Sequence, residues 1–155
     1  LHEARSESSR SLVLNTKDHA SKHHILVAED VDLNQQIVKE MILLLGCNVD
    51  IASDGYEAIR KYRENRYDLV FMDCQMPVMD GFEATSKIRQ LEKIQGRAHI
   101  PIVAVTAHAT AEHRKRCLDA GMDDFLTKPF TSGKLKKFIL PWLRSPIKKY
   151  RSAVA

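Results

Sequence analysis

The stretch that most constrains the fold is residues 68–73 (DLVFMD), where four apolar residues stand between two aspartates. A short continuous apolar run predicts a strand buried on both faces, as in a parallel sheet covered by helices. Asp73 follows where the run stops, and Pro77, Asp80 and Gly81 then indicate a turn-rich loop. Open α/β sheets bind ligands at the carboxyl ends of their strands. We therefore expect the Asp73 carboxylate at the edge of the sheet where such a site would lie.

Strand and helix patterns alternate along the rest of the chain. The predicted strands are residues 24–28, 49–51, 69–72, 100–105 and 124–126, with a helix after each of them. Asp32 with Gln35, and Asp54 with Glu57, have the spacing of capping boxes and predict the starts of the first two helices. Five alternating strands and helices predict a doubly wound, five-stranded parallel sheet with helices on both faces.

Apolar periodicity and breaker residues set the expected limits of the helices. The first helix carries an apolar face formed by Leu33, Ile37, Met41, Leu44 and Leu45. Gly46 predicts its end. The third helix is predicted to end by Leu91, before a polar loop at residues 92–99. In the last helix, Pro141 predicts a kink or a break near Leu140.

Length and composition are those of one globular domain with tails. The chain has 155 residues, of which 44% are hydrophobic and 28% charged. Residues 1–22 are rich in serine and charge and predict a linker or flexible arm, while residues 144–155 form a basic tail. No apolar run approaches a membrane span, and residues 1–22 lack the apolar core of a signal peptide. Since the first residue is Leu1, we expect a fragment of a longer chain.

The cysteines and the charge distribution say little about partners. The three cysteines form no C-x-x-C pair, so reduced thiols in a cytosolic domain are expected; they are Cys47, Cys74 and Cys117. Seven basic residues and no acid follow Thr131, within a net charge of +4. Such a run is a weak signal that is typical of a solvated helix face. Without a pair of recognition helices, we expect no nucleic-acid partner, and no membrane contact by this fragment.

Polar side chains follow the ends of four predicted strands. Glu29 and Asp30 follow the first strand, Asp73 the third, Thr106 the fourth and Lys128 the fifth. Converging carboxylates repel one another unless a cation neutralises them, and a few oxygen ligands suit Mg²⁺. The lysine and the hydroxyl would then bind the oxygens of an anion. The pattern predicts attack by Asp73 on a phosphoryl group bound with Mg²⁺, forming an aspartyl phosphate.

This set of motifs resembles the response-regulator receiver domain of two-component signalling, over about residues 23–143. The resemblance is carried by four segments in the expected order: ED at 29–30, MDCQMPVMDG at 72–81, VTA at 105–107 and TKPF at 127–130. It implies a flavodoxin-like sheet with strand order 2-1-3-4-5. It also implies that the domain is not a classical enzyme but accepts a phosphoryl group on itself and later loses it.

The resemblance assigns a role to each acidic residue of the site. Asp73 would be the phosphoacceptor, Asp30 a direct ligand of Mg²⁺, and Glu29 a residue that acts on the metal through water. Lys128 would pair with the phosphoryl group. The peptide bond between Lys128 and Pro129 is expected to be cis, as it is in the family.

Four further residues receive roles from the resemblance. Gln75 would lend its backbone carbonyl to the metal, and Thr106 would sense the phosphoryl group through its hydroxyl. Phe125 stands at the switch aromatic and, lacking a hydroxyl, would act through packing. Gln75 and His108 would border the path of the attacking water and tune the lifetime of the phosphoryl group. For His108, a solvent-facing loop histidine is the alternative explanation.

The loop sequence and Asn34 resemble receivers attached to hybrid sensor histidine kinases. Such a domain takes phosphate from the phosphohistidine of a kinase and passes it to a histidine phosphotransfer protein. By analogy, the partner would dock on the first helix, near Gln36, Lys39 and Glu40. The expected location is the cytoplasm, including the cytoplasmic part of a membrane-bound sensor kinase. A stand-alone single-domain response regulator is the alternative.

Two other classes of protein place similar residues on similar folds. A haloacid-dehalogenase-like phosphatase also has an aspartate nucleophile after a strand, but it requires a second aspartate two residues later, where this chain has Gln75. A flavodoxin-like flavin protein binds phosphate in its first loop. In this chain that loop is acidic at residues 29–32 (EDVD) and would repel a phosphate. Both classes are therefore disfavoured.

Overall fold

Five parallel strands form a single sheet in the order β2-β1-β3-β4-β5. The computed structural model describes residues 23–144, so the predicted arm at 1–22 and the tail beyond residue 144 lie outside the described residues. The strands are β1 (His24–Ala28), β2 (Asn48–Ala52), β3 (Leu69–Asp73), β4 (Ile102–Thr106) and β5 (Asp124–Thr127). The predicted sheet and its strand order are confirmed.

Five helices cover the two faces of the sheet. They are α1 (Asp32–Leu44), α2 (Gly55–Glu64), α3 (Gly81–Gln95), α4 (Ala111–Ala120) and α5 (Ser132–Arg144). Successive residues of a strand point to opposite faces. Val70 and Met72 of β3 accordingly pack in a core layer with residues of α2, α3 and α4. Leu69 and Phe71 pack in a second layer with residues of α1 and α5. All five residues of β3 are buried, as its apolar run predicted.

A buried ionic network ties α3 to the amino ends of β4 and β5. The guanidinium of Arg89 donates to Glu92 Oε1 and Asp123 Oδ2, both at 2.8 Å. The same two carboxylates accept from the backbone N–H groups of Ile100 and Ile102, at 2.9 and 2.8 Å. These contacts fix the end of the sheet that lies opposite the carboxyl ends of the strands.

One predicted helix cap and one predicted helix limit are wrong. α1 has no capping box, because its N-cap is Val31 and the Gln35 amide donates instead to the Glu29 carbonyl at 2.6 Å. The third helix does not end before residue 92. It continues to Gln95 because Glu92 is buried within the ionic network, and Gly96 ends the helix with a φ of 61°. The capping contact predicted at the start of α2 is confirmed by the bond from Glu57 N to Asp54 Oδ1, at 2.8 Å.

Of the kink or break predicted near Leu140, the break is absent. α5 includes Pro141 and stays helical from Ser132 to Arg144. A proline removes one backbone hydrogen bond, but packing of an amphipathic face supplies most of a helix's stability in a protein. Leu135, Ile139 and Trp142 are buried on both sides of the proline and hold the segment against the sheet.

The apolar residues predicted on one face of α1 divide between the core and the surface. Met41 and Leu45 are partly buried against the core layer that includes residues of α5. Leu33 is 65% exposed, Leu44 is 84% exposed and Ile37 is 42% exposed. Helical spacing identified a stripe of apolar residues but not how much of it the sheet covers. Among residues 23–144, no element covers the apolar surface formed by Leu33, Ile37 and Leu44.

Candidate functional site

Three carboxylates from two neighbouring strands meet at the carboxyl edge of the sheet. Glu29 and Asp30 directly follow β1, and Asp73 ends β3. The two strands pair in parallel, with Ala28 opposite Met72, so the residues after them emerge side by side. Carboxylate oxygens of Glu29, Asp30 and Asp73 lie within 4.8 Å of one another. The convergence expected from the strand ends is present in the structure.

Lys128 provides the positive charge next to this cluster. Its ammonium donates to Glu29 Oε2 at 2.7 Å and to Asp73 Oδ2 at 3.1 Å. It reaches the site from the end of β5, where the peptide bond between Lys128 and Pro129 is cis, as predicted. The other oxygen of Asp73, Oδ1, accepts from the backbone N–H of Gln75 at 3.0 Å. Both oxygens of the Asp73 carboxylate are thus held in place.

Burial and Lys128 shift the pKa values of the two buried carboxyl groups, Asp73 and Glu29, in opposite directions. Burial raises the pKa of Asp73 above its usual value, despite the opposing bonds from Gln75 and Lys128. Burial also acts to raise the pKa of Glu29, but the bonds from Lys128 and Val31 outweigh it and the pKa lies below its usual value. Burial would lower the pKa of the Lys128 ammonium, whereas its bonds to Glu29 and Asp73 hold that pKa above the usual value.

The site fits a small hard cation. The cluster consists of carboxylates alone, and hard cations such as Mg²⁺ take oxygen ligands. A single ammonium does not balance three carboxylates, and burial disfavours the charged form of Asp73 and raises its pKa. A divalent cation would offset that cost. Which atoms would hold the cation, including the proposed carbonyl of Gln75, stays a prediction.

Thr106 lies at the end of β4, but its hydroxyl bonds away from Asp73. The Thr106 hydroxyl is 2.9 Å from His113 Nε2 and accepts from the backbone N–H of His108 at 3.0 Å. His113 lies in the first turn of α4, whose N-cap is Thr110. Sequence reasoning missed His113. Its only signal was a position seven residues after Thr106, and such a spacing has no meaning before the loop between β4 and α4 is known.

The remaining predicted residues are Gln75, His108 and Phe125. Gln75 and His108 are both exposed, and the His108 ring lies 5.9 Å from that of His113. Phe125 is half-buried under the guanidinium of Arg114, at 4.2 Å from the ring centre. The positions of Gln75 and His108 leave them open to solvent water. Their roles in phosphoryl lifetime, and the packing role of Phe125, stay predictions.

The sequence of the domain matches a known family over most of its length. Residues 25–140 match the model of the response regulator receiver domain. This chain belongs to that family. The resemblance inferred from the motifs is therefore confirmed, together with the fold and the phosphoacceptor function of a receiver domain.

Curated relatives of this receiver domain include hybrid histidine kinases. Hybrid signal transduction histidine kinase I of Dictyostelium discoideum is 40% identical over 83% of this chain, which corresponds to 8% of that protein. The sensor protein GacS of Pseudomonas syringae pv. syringae is 39% identical over 79% of this chain and 14% of its own length. The chain thus spans a small part of the curated relatives that it matches.

Solved receiver structures have the same fold. One is the receiver domain of sensor histidine kinase PA1611 from Pseudomonas aeruginosa, which was solved with a magnesium ion coordinated in its active site cleft. It matches with a TM-score of 0.72 and 39% sequence identity, over 81% of this chain and all of that one. The Ssk1 receiver of Saccharomyces cerevisiae, crystallised with the histidine phosphotransfer protein Ypd1, has a TM-score of 0.77 and 33% identity, covering 81% of this chain and 91% of that one. Within residues 23–144, no helix has the length and apolar content needed to cross a bilayer.

Proposed function

We propose that this receiver domain accepts a phosphoryl group on Asp73 from the phosphohistidine of a histidine kinase. The observation that carries the proposal is the position of the Asp73 carboxylate, buried at the point where Glu29, Asp30 and Lys128 converge. The donor oxygens favour Mg²⁺ as the cofactor, held by Asp30, Asp73 and the backbone of Gln75, with Glu29 acting through water. When bound, Mg²⁺ would neutralise charge on the oxygens of the phosphoryl group.

The transfer follows from the atoms that surround Asp73. A carboxylate oxygen of Asp73 attacks the phosphorus, an O–P bond forms, and the P–N bond to the donor imidazole breaks. The leaving imidazole keeps the electron pair of that bond. Lys128 already donates to Asp73 Oδ2, and from this position its ammonium can also interact with the negatively charged phosphoryl oxygens. The N–H of Gln75 holds Asp73 Oδ1 and limits rotation of the carboxylate.

Phosphorylation would then be sensed by Thr106. In the structure its hydroxyl bonds to His113 and His108, so a move toward a phosphoryl oxygen would break the contact with His113. Because His113 belongs to α4, this exchange of hydrogen bonds would change a contact of that helix, which lies next to β4 and β5. A partner that binds only one arrangement of this face would convert the local event into an output.

We also propose that the apolar face of α1 is the docking surface for a histidine phosphotransfer protein. This face is formed by Leu33, Ile37 and Leu44, which are exposed without being charged. Leu33 lies one residue into α1, directly after the loop that carries Glu29 and Asp30, so a helix bound there would sit beside the site. Exposed apolar patches of this kind mark interaction surfaces. The similar Ssk1 receiver was crystallised with such a partner.

The wider context proposed for the chain is a hybrid sensor histidine kinase. Its curated relatives of this type support the proposal, with residues 1–22 as a linker from a kinase domain and residues 144–155 as a basic tail. Location on the cytoplasmic side of a membrane belongs to the same proposal. The receiver itself would act as a phosphate carrier and not as a classical enzyme.

Intact-mass analysis tests the role of Asp73. The protein is incubated with Mg²⁺ and acetyl phosphate, and we expect one phosphoryl adduct that requires Mg²⁺ and is absent from Asp73→Asn. The control is Asp119→Asn on α4, which removes an exposed carboxylate and should be labelled like the wild type. No adduct in the wild type, or an adduct that persists in Asp73→Asn, would contradict the proposal.

A second experiment tests docking on α1 separately from the chemistry. In Leu33→Glu, we expect transfer from a phosphorylated histidine phosphotransfer protein to slow about 30-fold, the equivalent of roughly 2 kcal/mol for a central interface residue. Labelling by acetyl phosphate should not change, because Asp73 is not altered. Ile94→Glu, on an exposed site of α3, is the matched control and should leave both rates unchanged. Equal slowing in the two variants would argue against α1 as the docking surface.

A further inference from the structure

A second cluster of potential metal ligands lies directly behind the carboxylate site. Cys74 follows Asp73 in the chain, and its Sγ is 3.9 Å from the Sγ of Cys117 on α4. His113 lies four residues before Cys117, so the two side chains share one face of the helix. The three ligand atoms lie within 4.8 Å of one another, and both thiols are reduced.

We propose that Cys74, Cys117 and His113 bind one Zn²⁺ ion. Two thiolates and one imidazole are the ligand types that zinc takes in proteins, and a water would complete four-coordination. With Zn–S bonds of about 2.3 Å, two sulfur ligands of a tetrahedral site stand about 3.8 Å apart. The observed separation of 3.9 Å matches that spacing.

The surroundings of the cluster permit entry of an ion. Cys74 and His113 lie on the wall of a surface cleft that also includes Arg116. Burial raises the pKa of both the Cys74 and the Cys117 thiol. Each thiol gives up its proton when the metal binds. Two buried thiols that only pack together would need neither a histidine at ligand distance nor a cleft that reaches one of them, Cys74.

Zinc at this position would be linked to the proposed switch. His113 is the residue whose Nε2 contacts Thr106 Oγ1 at 2.9 Å, so the same imidazole faces both the thiols and the switch hydroxyl. Fixing His113 on a metal would change how readily Thr106 turns toward a phosphoryl group. This link rests on the proposed function of Thr106, whereas the binding of zinc does not.

Cobalt spectroscopy of the whole 155-residue chain tests the binding site. Co²⁺ is titrated under reducing conditions with excess Mg²⁺, which occupies the carboxylate cluster. We expect one equivalent of Co²⁺ to give thiolate-to-cobalt absorption in the near ultraviolet and the visible bands of tetrahedral cobalt, and Zn²⁺ to abolish both. Oxygen ligands at the carboxylate site cannot produce a thiolate band.

Matched cysteine variants locate the ligands. In Cys117→Ser and His113→Gln, the affinity for Co²⁺ should fall by more than the roughly 10–100-fold that loss of an outer-shell partner costs. Cys47→Ser is the control, because Cys47 is equally buried but lies in the core layer on the other face of the sheet. Circular dichroism confirms folding of each variant.

Several outcomes would overturn the zinc site. They are the absence of a thiolate band in the wild type, a band unchanged in Cys117→Ser, and a band lost equally in Cys47→Ser. Phosphorylation by acetyl phosphate in the presence of Mg²⁺ is measured on the same samples without added cobalt or zinc. Because that readout does not involve zinc, failure of the zinc site and failure of the Asp73 mechanism are distinguishable.

Discussion

Replacement of Gly81 by alanine should disable the site from a position outside it. Gly81 is the first residue of α3, and a Cβ built on it would lie 2.1 Å from the backbone oxygen of Asp73 and 2.9 Å from Met72 Cγ. Because a carbonyl oxygen cannot yield as a flexible side chain does, either α3 or the end of β3 must shift. Forcing atoms into a packed site costs about 1–3 kcal/mol. A displacement of about 1 Å can also slow a reaction roughly 100-fold.

The measurements for Gly81→Ala are urea unfolding and the rate of labelling by acetyl phosphate. We expect destabilisation of about 3 kcal/mol, at the upper end of the range for overpacking, and labelling roughly 100-fold slower. The control is Gly133→Ala in α5, where the nearest atom to the added Cβ is 3.9 Å away. That substitution should be neutral or stabilising by up to about 1 kcal/mol, since alanine favours the helix. Similar effects at both glycines would refute the explanation.

Replacement of Arg89 by methionine should cause a large loss of stability without touching the site. Arg89 is the cation that neutralises Glu92 and Asp123, and the exposed fractions of these two carboxylate side chains are only 7% and 8%. Removal of Arg89 leaves these carboxylates with the backbone N–H groups of Ile100 and Ile102 and with the His99 imidazole as their partners. Loss of one partner of a buried ion pair costs about 3–5 kcal/mol. Total free energies of unfolding are about 5–15 kcal/mol for a domain, so this loss is a large share of the total.

Urea unfolding of Arg89→Met measures this effect, with Arg60→Met as the control. Arg60 is paired with Glu57 at 3.8 Å, but its side chain is 63% exposed. Loss of an exposed ion pair should change stability by no more than about 1 kcal/mol. If Arg89→Met unfolded at nearly the same urea concentration as Arg60→Met, the buried network would contribute little and the core layers would carry the stability alone.

Much of the fold was predictable because each strand has a recognisable pattern in its own short stretch of sequence. The run at residues 69–72 is apolar throughout since it is buried on both faces, and this pattern needs no knowledge of distant residues. The polar residues Asp73, Thr106 and Lys128 could be placed at strand ends for the same reason. In a parallel sheet these ends lie on one edge, so the composition of the carboxylate cluster followed from the order of the elements.

The predictions that were wrong depend on contacts that form only when the helices, loops and strands pack together. Glu92 looks like a loop residue because it is charged, but Arg89 and the N–H of Ile100 allow it to be buried at the end of α3. Gln35 has the spacing of a capping residue, yet its side-chain amide donates to the Glu29 carbonyl and makes no capping bond. His113 acquires significance only once α4 is placed over β4. Such contacts arise from tertiary packing, which a single sequence does not display.

The central position of β3 determines where a signal can appear. This strand is hydrogen-bonded to β1 on one side and to β4 on the other, and its residues are buried from Leu69 to Asp73. Strands buried in this way unfold only together with the whole domain, whereas exposed loops and sheet edges unfold locally at a low cost in free energy. Asp73, the proposed phosphoacceptor, therefore belongs to the least movable part of the molecule. Phosphorylation there would take place at an immobile point, and any motion that reports it would have to occur in the surrounding loops and helices.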